Sequence, residues 1–482
     1  MPMHAFSDDA LGASDALALA DAVRTGAVAP RELAAAALSR AEAVAALNAV
    51  AHTGYDESRP IRGGLFAGVP TYVKDNTDVE GMPTRYGSAA FGGRLSRRTS
   101  APARQFLAQG FTPLGKSTMP EFGLTASTEY AGVGRPAAGP TATVRPPTRN
   151  PWDPERSVGG SSGGAAALVA SGVVPLAHGN DGGGSLRIPA ACAGLVGLKP
   201  ARSRMQDPPG TRQLPVNLVT EGVLTRTVRD TAHYLAAAEA FSPATGLDPI
   251  GLVRGPSDRR FRIGLVVRDA RGRDVDPQVR DVVESAARVF AGAGHTVEPV
   301  ELEIDPRFID DFTLYWAAIA GALVASSKAS HGKDFRPADL DPFTTGLLGL
   351  LKRSSWRIGP AVARLRQTPR VYARQLGTYD MLLSPVLSTP PPPLGEYRPD
   401  QPFDDLLARL VDYVGFTPLG NLSGAPAVAL PHTVMPCGLP GSIQLAGGFG
   451  DEATLLDAAY QFEALAPFPT LVGASTAAEV RG

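Results

Sequence analysis

The residues most able to do chemistry in this 482-residue chain lie in two glycine-rich runs and beside one lysine. The sharper run is Gly179-Asn180-Asp181-Gly182-Gly183-Gly184-Ser185-Leu186-Arg187-Ile188-Pro189. Three consecutive glycines ahead of a serine let several backbone N–H groups converge on one point without side-chain obstruction. A developing oxyanion needs such a cradle, and the serine beside it stands where a nucleophile would. Apolar, strand-like stretches at Val173–Ala177 and Ala190–Leu198 flank the run, so it is expected inside a core rather than on a floppy surface loop.

The second run, Gly159-Gly160-Ser161-Ser162-Gly163, contains the G-x-S-x-G letters of a nucleophile elbow. An elbow requires a strand directly before its serine and an HGGG-like loop upstream. Here Asn150–Arg156 reads as a turn, and no HGGG precedes Ser161. A serine nucleophile also needs a base, and none of His178, His233, His295, His331 or His432 is motif-linked to Ser185. Lys74 offers another route. It ends the apolar stretch Gly68-Val-Pro-Thr-Tyr-Val73, and a turn follows it, so its ammonium is expected to face inward. Burial lowers a lysine pKa and makes the amine a usable base near neutral pH. Gly110–Ser117 matches the phosphate-loop pattern letter for letter. Pro113 removes one donor from that cradle, Pro120 interrupts the helix that must follow, and Phe111–Leu114 reads as a strand, so no nucleotide site is expected.

Several elements must position these groups. Asp15 caps a first amphipathic helix stopped by Gly26, and Pro30 opens a second that runs towards Leu47. From Leu65 to Lys199 short apolar strands alternate with glycine runs, and Ala131–Thr148 has no periodicity and reads as a long loop. Arg262–Val267 is a buried strand, Asp276-Pro277 opens a helix with Val279, Val282, Val283, Ala286, Val289 and Phe290 on one face, and His295–Val300 is the next strand. That βαβ-like order makes part of the sheet parallel or mixed. Met381–Leu383 is a further short strand. Nothing repeats, and no linker is polar enough to separate autonomous units. The expectation is one α/β domain over 1–482, with a glycine-rich core at 65–200 and a helical elaboration at 301–378.

Composition excludes several classes. Hydrophobic residues make up 44% and charged residues 19%, enough apolar material for a large core. A net charge of −1 gives no electrostatic reason to expect nucleic acid or a membrane surface as partner. Two cysteines rule out a disulfide scaffold and a cysteine zinc cluster, and the seven histidines form no H-x-x-x-H pair, so no metal is expected. The longest purely apolar run, Leu314–Ala325, falls short of the ~20 residues that span a bilayer. The first residues carry no basic and apolar leader, so a cytoplasmic location is expected.

Taken together, Gly159–Gly172, Gly179–Pro189 and Cys192–Pro200 resemble the amidase signature family of serine hydrolases. The likeness extends to Phe66–Asp75, Leu114–Gly123 and Asn150–Pro154, and later to Tyr379–Pro385 and Asn421–Pro426, which look like the family's later strands. Within the family the chain looks most like bacterial amidases of the 6-aminohexanoate cyclic dimer (nylon oligomer) hydrolase type. The resemblance implies a single large mixed β-sheet core covered by helices on both faces, and a Ser–cis-Ser–Lys triad. Matched motif to motif, Ser185 is the nucleophile, Lys74 the base, and Ser161 the serine before the cis peptide. The spacing of 24 from Ser161 to Ser185 selects it over Ser162. The N–H groups of Gly182, Gly183, Gly184 and Ser185 would hold the oxyanion, and Asp181 and Arg187 would brace the loop. Phe122, Leu124, Thr125 and Ala126, in a stretch similar to an acyl-pocket wall, would line a mostly apolar pocket.

The resemblance implies hydrolysis of a small or medium uncharged carboxamide through a serine acyl-enzyme, with carbamates or esters as further substrates, no cofactor, and a monomer or homodimer. Two rivals share the scaffold: a glutamine amidotransferase subunit acting in tRNA transamidation, and a catalytically silent binding protein. Intact Lys74, Ser161 and Ser185 argue against the second. Three departures stand out. The family usually carries Thr or Ser where this chain has Asn180, which implies different local hydrogen bonding. Ala193-Gly194 replaces a frequent Cys-Gly pair, with Cys192 one place earlier. The 131–148 loop is longer than expected and is read as lining or covering the substrate entrance.

Overall fold

The computed structural model describes residues 1–57, 63–131 and 145–472. Most of the 131–148 loop therefore lies outside the described residues. Eleven strands are described: β1 Val50–Thr53, β2 Pro70–Lys74, β3 Thr112–Ser117, β4 Leu176–Asp181, β5 Val196–Lys199, β6 Thr220–Thr225, β7 Arg262–Leu265, β8 Thr296–Pro299, β9 Met381–Pro385, β10 Ala427–Val434 and β11 Pro440–Gly447. Eight form one sheet in the order β4-β6-β5-β10-β11-β9-β7-β8. The sheet is mixed, because β9, β7 and β8 run parallel while the other neighbours are antiparallel. Every residue of β4, β5, β6 and β9 is buried. Helices cover the sheet, which explains why its strands read as continuous apolar runs rather than alternating ones.

The fold class matches the expectation, with one addition: β1, β3 and β2 form a separate three-stranded sheet. β2 and β3 are parallel, and β1 is antiparallel to β3. β2 lies along β4, the edge of the large sheet, but the Thr71 hydroxyl donates to the Leu176 carbonyl at 2.9 Å where ladder bonds would otherwise run. Lys74 thus stands at the junction of two sheets. The phosphate-loop letters Gly115-Lys116-Ser117 belong to β3 itself and open no helix.

Local signals set most helix ends. Asp15 accepts from the Ala18 N–H to cap Ala16–Arg24, and Asp276 does the same for Pro277–Gly292 through Gln278. Three stretches differ from the sequence expectation. β4 starts at Leu176 and continues through the polar Asn180 and Asp181, where the run Val173–Ala177 was expected to be the strand. Ala190–Ala193 is helical, part of Arg187–Ala193, which Gly194 ends in the left-handed conformation. Asn421–Ser423 likewise lies in a helix, Thr417–Ser423, rather than in a strand. Small side chains such as these read equally well as strand or helix until packing decides.

Residues 301–378 hold four helices, Phe308–His331, Pro342–Ser354, Ile358–Leu365 and Thr368–Leu376. The first is long and apolar enough to cross a membrane by length and composition alone. It extends well beyond the apolar run Leu314–Ala325, and it buries Leu314, Tyr315, Ala317, Ile319 and Ala320 against the protein.

Candidate active site

Lys74 ends β2 with no solvent exposure. Its Nζ lies 2.8 Å from Ser161 Oγ, 2.9 Å from Ser162 Oγ and 2.7 Å from Asn180 Oδ1. Burial pushes the ammonium down to about 7, against the opposing pull of the Glu221 and Asp181 carboxylates. Two other lysines are equally buried. Lys199 is pushed down to about 7 and Lys116 to about 8. Lys199 Nζ faces the Pro200 carbonyl at 2.8 Å, and Lys116 faces the Thr77 carbonyl and the Thr84 hydroxyl. Lys74 is the buried lysine that meets serine hydroxyls outside its own sheet, so geometry rather than burial singles it out.

Ser161 is almost wholly buried and follows a cis peptide bond with Gly160, rather than preceding the cis bond as expected. Ser162 then leads into the helix Gly163–Ala170. The close approach of Gly123 matters here, because a Cβ on Gly123 would stand 2.9 Å from Ser161 Oγ. Ser185 opens towards a cavity and is 8% exposed. The Ser161 and Ser185 hydroxyls are not hydrogen-bonded to each other. Their segments are joined through the Ser162 N–H, which donates to the Ser185 carbonyl at 3.3 Å.

The glycine loop is held from behind. Asp181 accepts from Arg187 Nε at 2.9 Å and Nη2 at 3.0 Å, and from Asn421 Nδ2 at 2.8 Å. Arg187 also donates to Gln444 Oε1 at 2.8 Å and Asn421 Oδ1 at 2.7 Å. Burial would raise the Asp181 carboxyl, but Arg187, Asn421 and Lys199 beside it hold it well below the usual carboxylate range. Asp181 and Arg187 thus sit behind the loop.

One expected donor must be corrected. The Gly184 N–H is committed to Asp181 Oδ1 at 2.7 Å and is not free for an oxyanion. Its peptide is clamped from the other side, since the Thr417 hydroxyl donates to the Gly183 carbonyl at 2.7 Å. The N–H groups of Gly182, Gly183 and Ser185 donate to nothing among the described residues. Their directions are set by neighbours. The Asp181 carbonyl accepts from Asn421 Nδ2 at 3.1 Å and the Gly184 carbonyl from the Ile188 N–H at 2.7 Å. In a trans peptide the N–H points opposite to the C=O, so those of Gly182 and Ser185 turn away from these anchors.

A cavity of about 490 Å³ opens at Ser185 and Gly183. Leu124, Thr125 and Ala126 line it, as expected. Phe122 does not: its φ of +51° turns the ring into a cluster with Tyr86, Phe91 and Phe335. The aromatic wall comes instead from Phe312 and Trp316, whose rings stack at 5.8 Å on the long helix Phe308–His331. A Cβ on Gly182 or Gly183 would meet the Trp316 ring at 3.7 Å, so the indole lies one van der Waals layer above the glycine loop.

Sequence reasoning missed Asn180 and Ser162 as partners of Lys74, and Thr417, Asn421, Gln444, Phe312 and Trp316. Asn180 carried a visible signal, since it departs from the hydroxyl residue usual there, and Asn421 lies in a segment already singled out. Phe312 and Trp316 carried none beyond belonging to an apolar helix.

A family model described as Amidase matches residues 24–456. The chain is 42% identical over 474 residues to a putative amidase, AmiC, of Mycobacterium tuberculosis, covering 97% of each chain. Among solved structures it is similar to 6-aminohexanoate cyclic dimer hydrolase complexed with substrate, with a TM-score of 0.83 and 28% identity over 95% of this chain and 98% of the other. It is also similar to a bacterial aryl acylamidase of the amidase signature family, with a TM-score of 0.77 and 26% identity over 94% of this chain and 96% of the other.

Proposed function

Because the chain belongs to the amidase signature family and is an amide-hydrolysing enzyme, we propose that it cleaves small or medium uncharged carboxamides through an acyl-enzyme on Ser185. The observation that carries this reading is the wholly buried Lys74 amine, 2.8 Å from the Ser161 hydroxyl and poised near neutrality. A base whose pKa lies near the working pH combines a populated neutral form with useful basicity.

In the proposed sequence neutral Lys74 takes the Ser161 proton while Ser161 takes that of Ser185. The Ser185 oxygen adds to the carbonyl carbon, and the resulting oxyanion is received by the N–H groups of Gly182, Gly183 and Ser185. Each such donor is worth ~3–4 kcal/mol in comparable enzymes. As the C–N bond breaks, Ser161 protonates the leaving amine and is reprotonated by Lys74. Water then adds to the acyl-enzyme by the same proton path, and the acid leaves. Carbamates and esters present the same tetrahedral geometry. The scheme calls on no metal or organic cofactor, and we place the enzyme in the cytoplasm as a monomer or homodimer.

The cavity supports an uncharged, apolar substrate. Beside the serine it offers Leu124, Ala126, Phe312 and Trp316. The arginines along it already face partners: Arg187 meets Asp181, Arg268 meets Glu301 at 3.3 Å, and Arg280 meets Asp274 at 2.5 Å. That apolar wall does not favour glutamine as the amide donor. The test is a panel of aryl amides, aliphatic amides, carbamates and esters, with Ser185→Ala as control and a fluorophosphonate as a covalent probe. Hydrolysis of apolar amides and labelling of Ser185, both lost in the variant, is the expected result. Activity that survives Ser185→Ala overturns the reading.

A further inference from the structure

A neutral primary amine has two N–H bonds and one lone pair, so three neighbours around it cannot all play the same part. Lys74 Nζ has three side-chain neighbours, Asn180 Oδ1 at 2.7 Å, Ser161 Oγ at 2.8 Å and Ser162 Oγ at 2.9 Å. If Lys74 is to take a proton from Ser161, its lone pair must face that hydroxyl. The two N–H bonds then fall to the other two side chains, whose oxygens lie well inside the Asn180 main-chain oxygen at 3.5 Å.

The surrounding bonds enforce that outcome. A carboxamide oxygen can only accept. The Asn180 carboxamide is turned oxygen-first towards Lys74 because its Nδ2 donates to Asn76 Oδ1 at 3.2 Å. Asn76 is held in turn, since the Thr77 hydroxyl donates to the same oxygen at 3.2 Å. Ser162 spends its own proton on the Asn180 carbonyl at 3.3 Å, which leaves its oxygen to accept from Lys74. We propose that Asn180, oriented by Asn76, is a positioning residue that aims the Lys74 lone pair at Ser161 and so fixes the direction of proton flow. A serine or threonine at 180 would both donate and accept, and could turn its own proton onto the amine. Asparagine in this setting cannot.

The proposal rests on Lys74 being the base. The charged groups facing that amine are Asp181 on β4 and Glu221 on β6, the latter directly across from Asn180 in the ladder. They bias whether the amine is charged. Asn180 governs where its lone pair points.

A fluorophosphonate tests this without knowledge of the natural amide, because its reaction with Ser185 requires the same deprotonation. The second-order labelling rate is measured against pH for wild type, Asn180→Leu, Asn180→Asp, Asn180→Thr, Asn76→Ala and Lys74→Met, with thermal melting to confirm folding. Asn180→Leu is expected to slow labelling by roughly 10- to 100-fold across the pH range, part of the 10²–10⁴ that a positioned base supplies. Asn180→Asp keeps the acceptor but adds a third carboxylate, so its labelling profile should move to higher pH by about one unit or more while reaching near wild-type rates at alkaline pH. Asn180→Thr should recover part of the loss seen in Asn180→Leu. Asn76→Ala, at the half-buried end of the chain of bonds, should slow labelling by roughly 3- to 10-fold with melting unchanged. If Lys74→Met labels like wild type, Lys74 is not the base and the functional reading falls with this one. If Lys74→Met is inert while folded Asn180→Leu and Asn76→Ala keep the wild-type rate and profile, the positioning role alone is overturned.

Discussion

Trp316 Nε1 donates to the Leu124 carbonyl at 3.1 Å, which ties the long helix Phe308–His331 to the segment following β3 directly over the glycine loop. One side chain therefore both closes the cavity wall and fixes the backbone of its neighbour. Trp316→Ala is expected to lower kcat/KM for bulky apolar amides by roughly 10- to 100-fold, since one lost aromatic contact with a substrate is worth about 1.5–3 kcal/mol. Acetamide-sized substrates should lose less than about threefold. Equal losses across the panel, measured by steady-state kinetics, would remove Trp316 from substrate selection.

The glycines of the loop are predicted to differ sharply from one another. Gly184 has a φ of +125°, and a Cβ there would stand 2.3 Å from Thr417 Oγ1. Gly183→Ala meets nothing nearer than 3.7 Å, and its methyl projects towards Phe312 and Trp316. Gly184→Ala should cost about 1–3 kcal/mol of stability from backbone conformation alone, and more from the clash. Gly183→Ala should melt within a few degrees of wild type while shifting preference towards smaller amides. Similar melting temperatures for the two variants would contradict this geometry.

These contrasts show which parts of the protein were legible in its sequence. Lys74 and Ser185 drew attention because an inward lysine and a glycine run leave local marks, whereas Ser161, Asp181 and Arg187 entered through the family resemblance. That part of the sheet is parallel or mixed followed from the βαβ pattern around Pro277–Gly292, and the single large mixed sheet from the family resemblance; the eight-strand order shows only in the structure. Thr417 and Trp316 were not readable, because each reaches the site from more than a hundred residues away, and only packing reveals that; Asn421 lay in a noted segment, but its reach to Asp181 did not show. Phe122 was misread for a local reason: a left-handed φ at a phenylalanine reverses the face its ring presents. Gly184 was misread because equal glycines in a row hide which N–H is already taken.

Activity should rise as pH climbs through about 7, because only the neutral Lys74 amine can accept a proton. Its folded pKa is depressed from 10.5, so between about 7 and 10.5 the unfolded chain holds a proton that the folded one lacks. Stability contributed by this group therefore increases with pH over that window. Lys74→Met should abolish the pH-dependent activity and flatten the rise in melting temperature from pH 7 to pH 10 relative to wild type. Lys116 and Lys199 remain in both proteins and cancel in the comparison. An identical slope in the two would mean that Lys74 is already charged when folded.

The buried pair behind the loop makes the last prediction. Arg187 and Asp181 are both without exposure, and Arg187 supplies two of the bonds that keep the carboxylate ionised. Removing one partner of such a pair leaves an uncompensated charge and costs about 3–5 kcal/mol. In wild type the depressed Asp181 pKa contributes stability that is present above pH 3.8 and lost as pH falls. Without the guanidinium, burial dominates and lifts that carboxyl, so above pH 3.8 the folded variant keeps a proton that the unfolded chain has already released. Arg187→Met should therefore be more destabilised at pH 7.5 than at pH 5, read from melting temperatures at both. Adding Asp181→Asn removes the buried charge and should erase this pH difference, because an amide at 181 has nothing to titrate. A deficit of the same size at both pH values would show that Asp181 stays ionised without the Arg187 guanidinium, held by Asn421, Lys199 and the main-chain N–H groups of the loop.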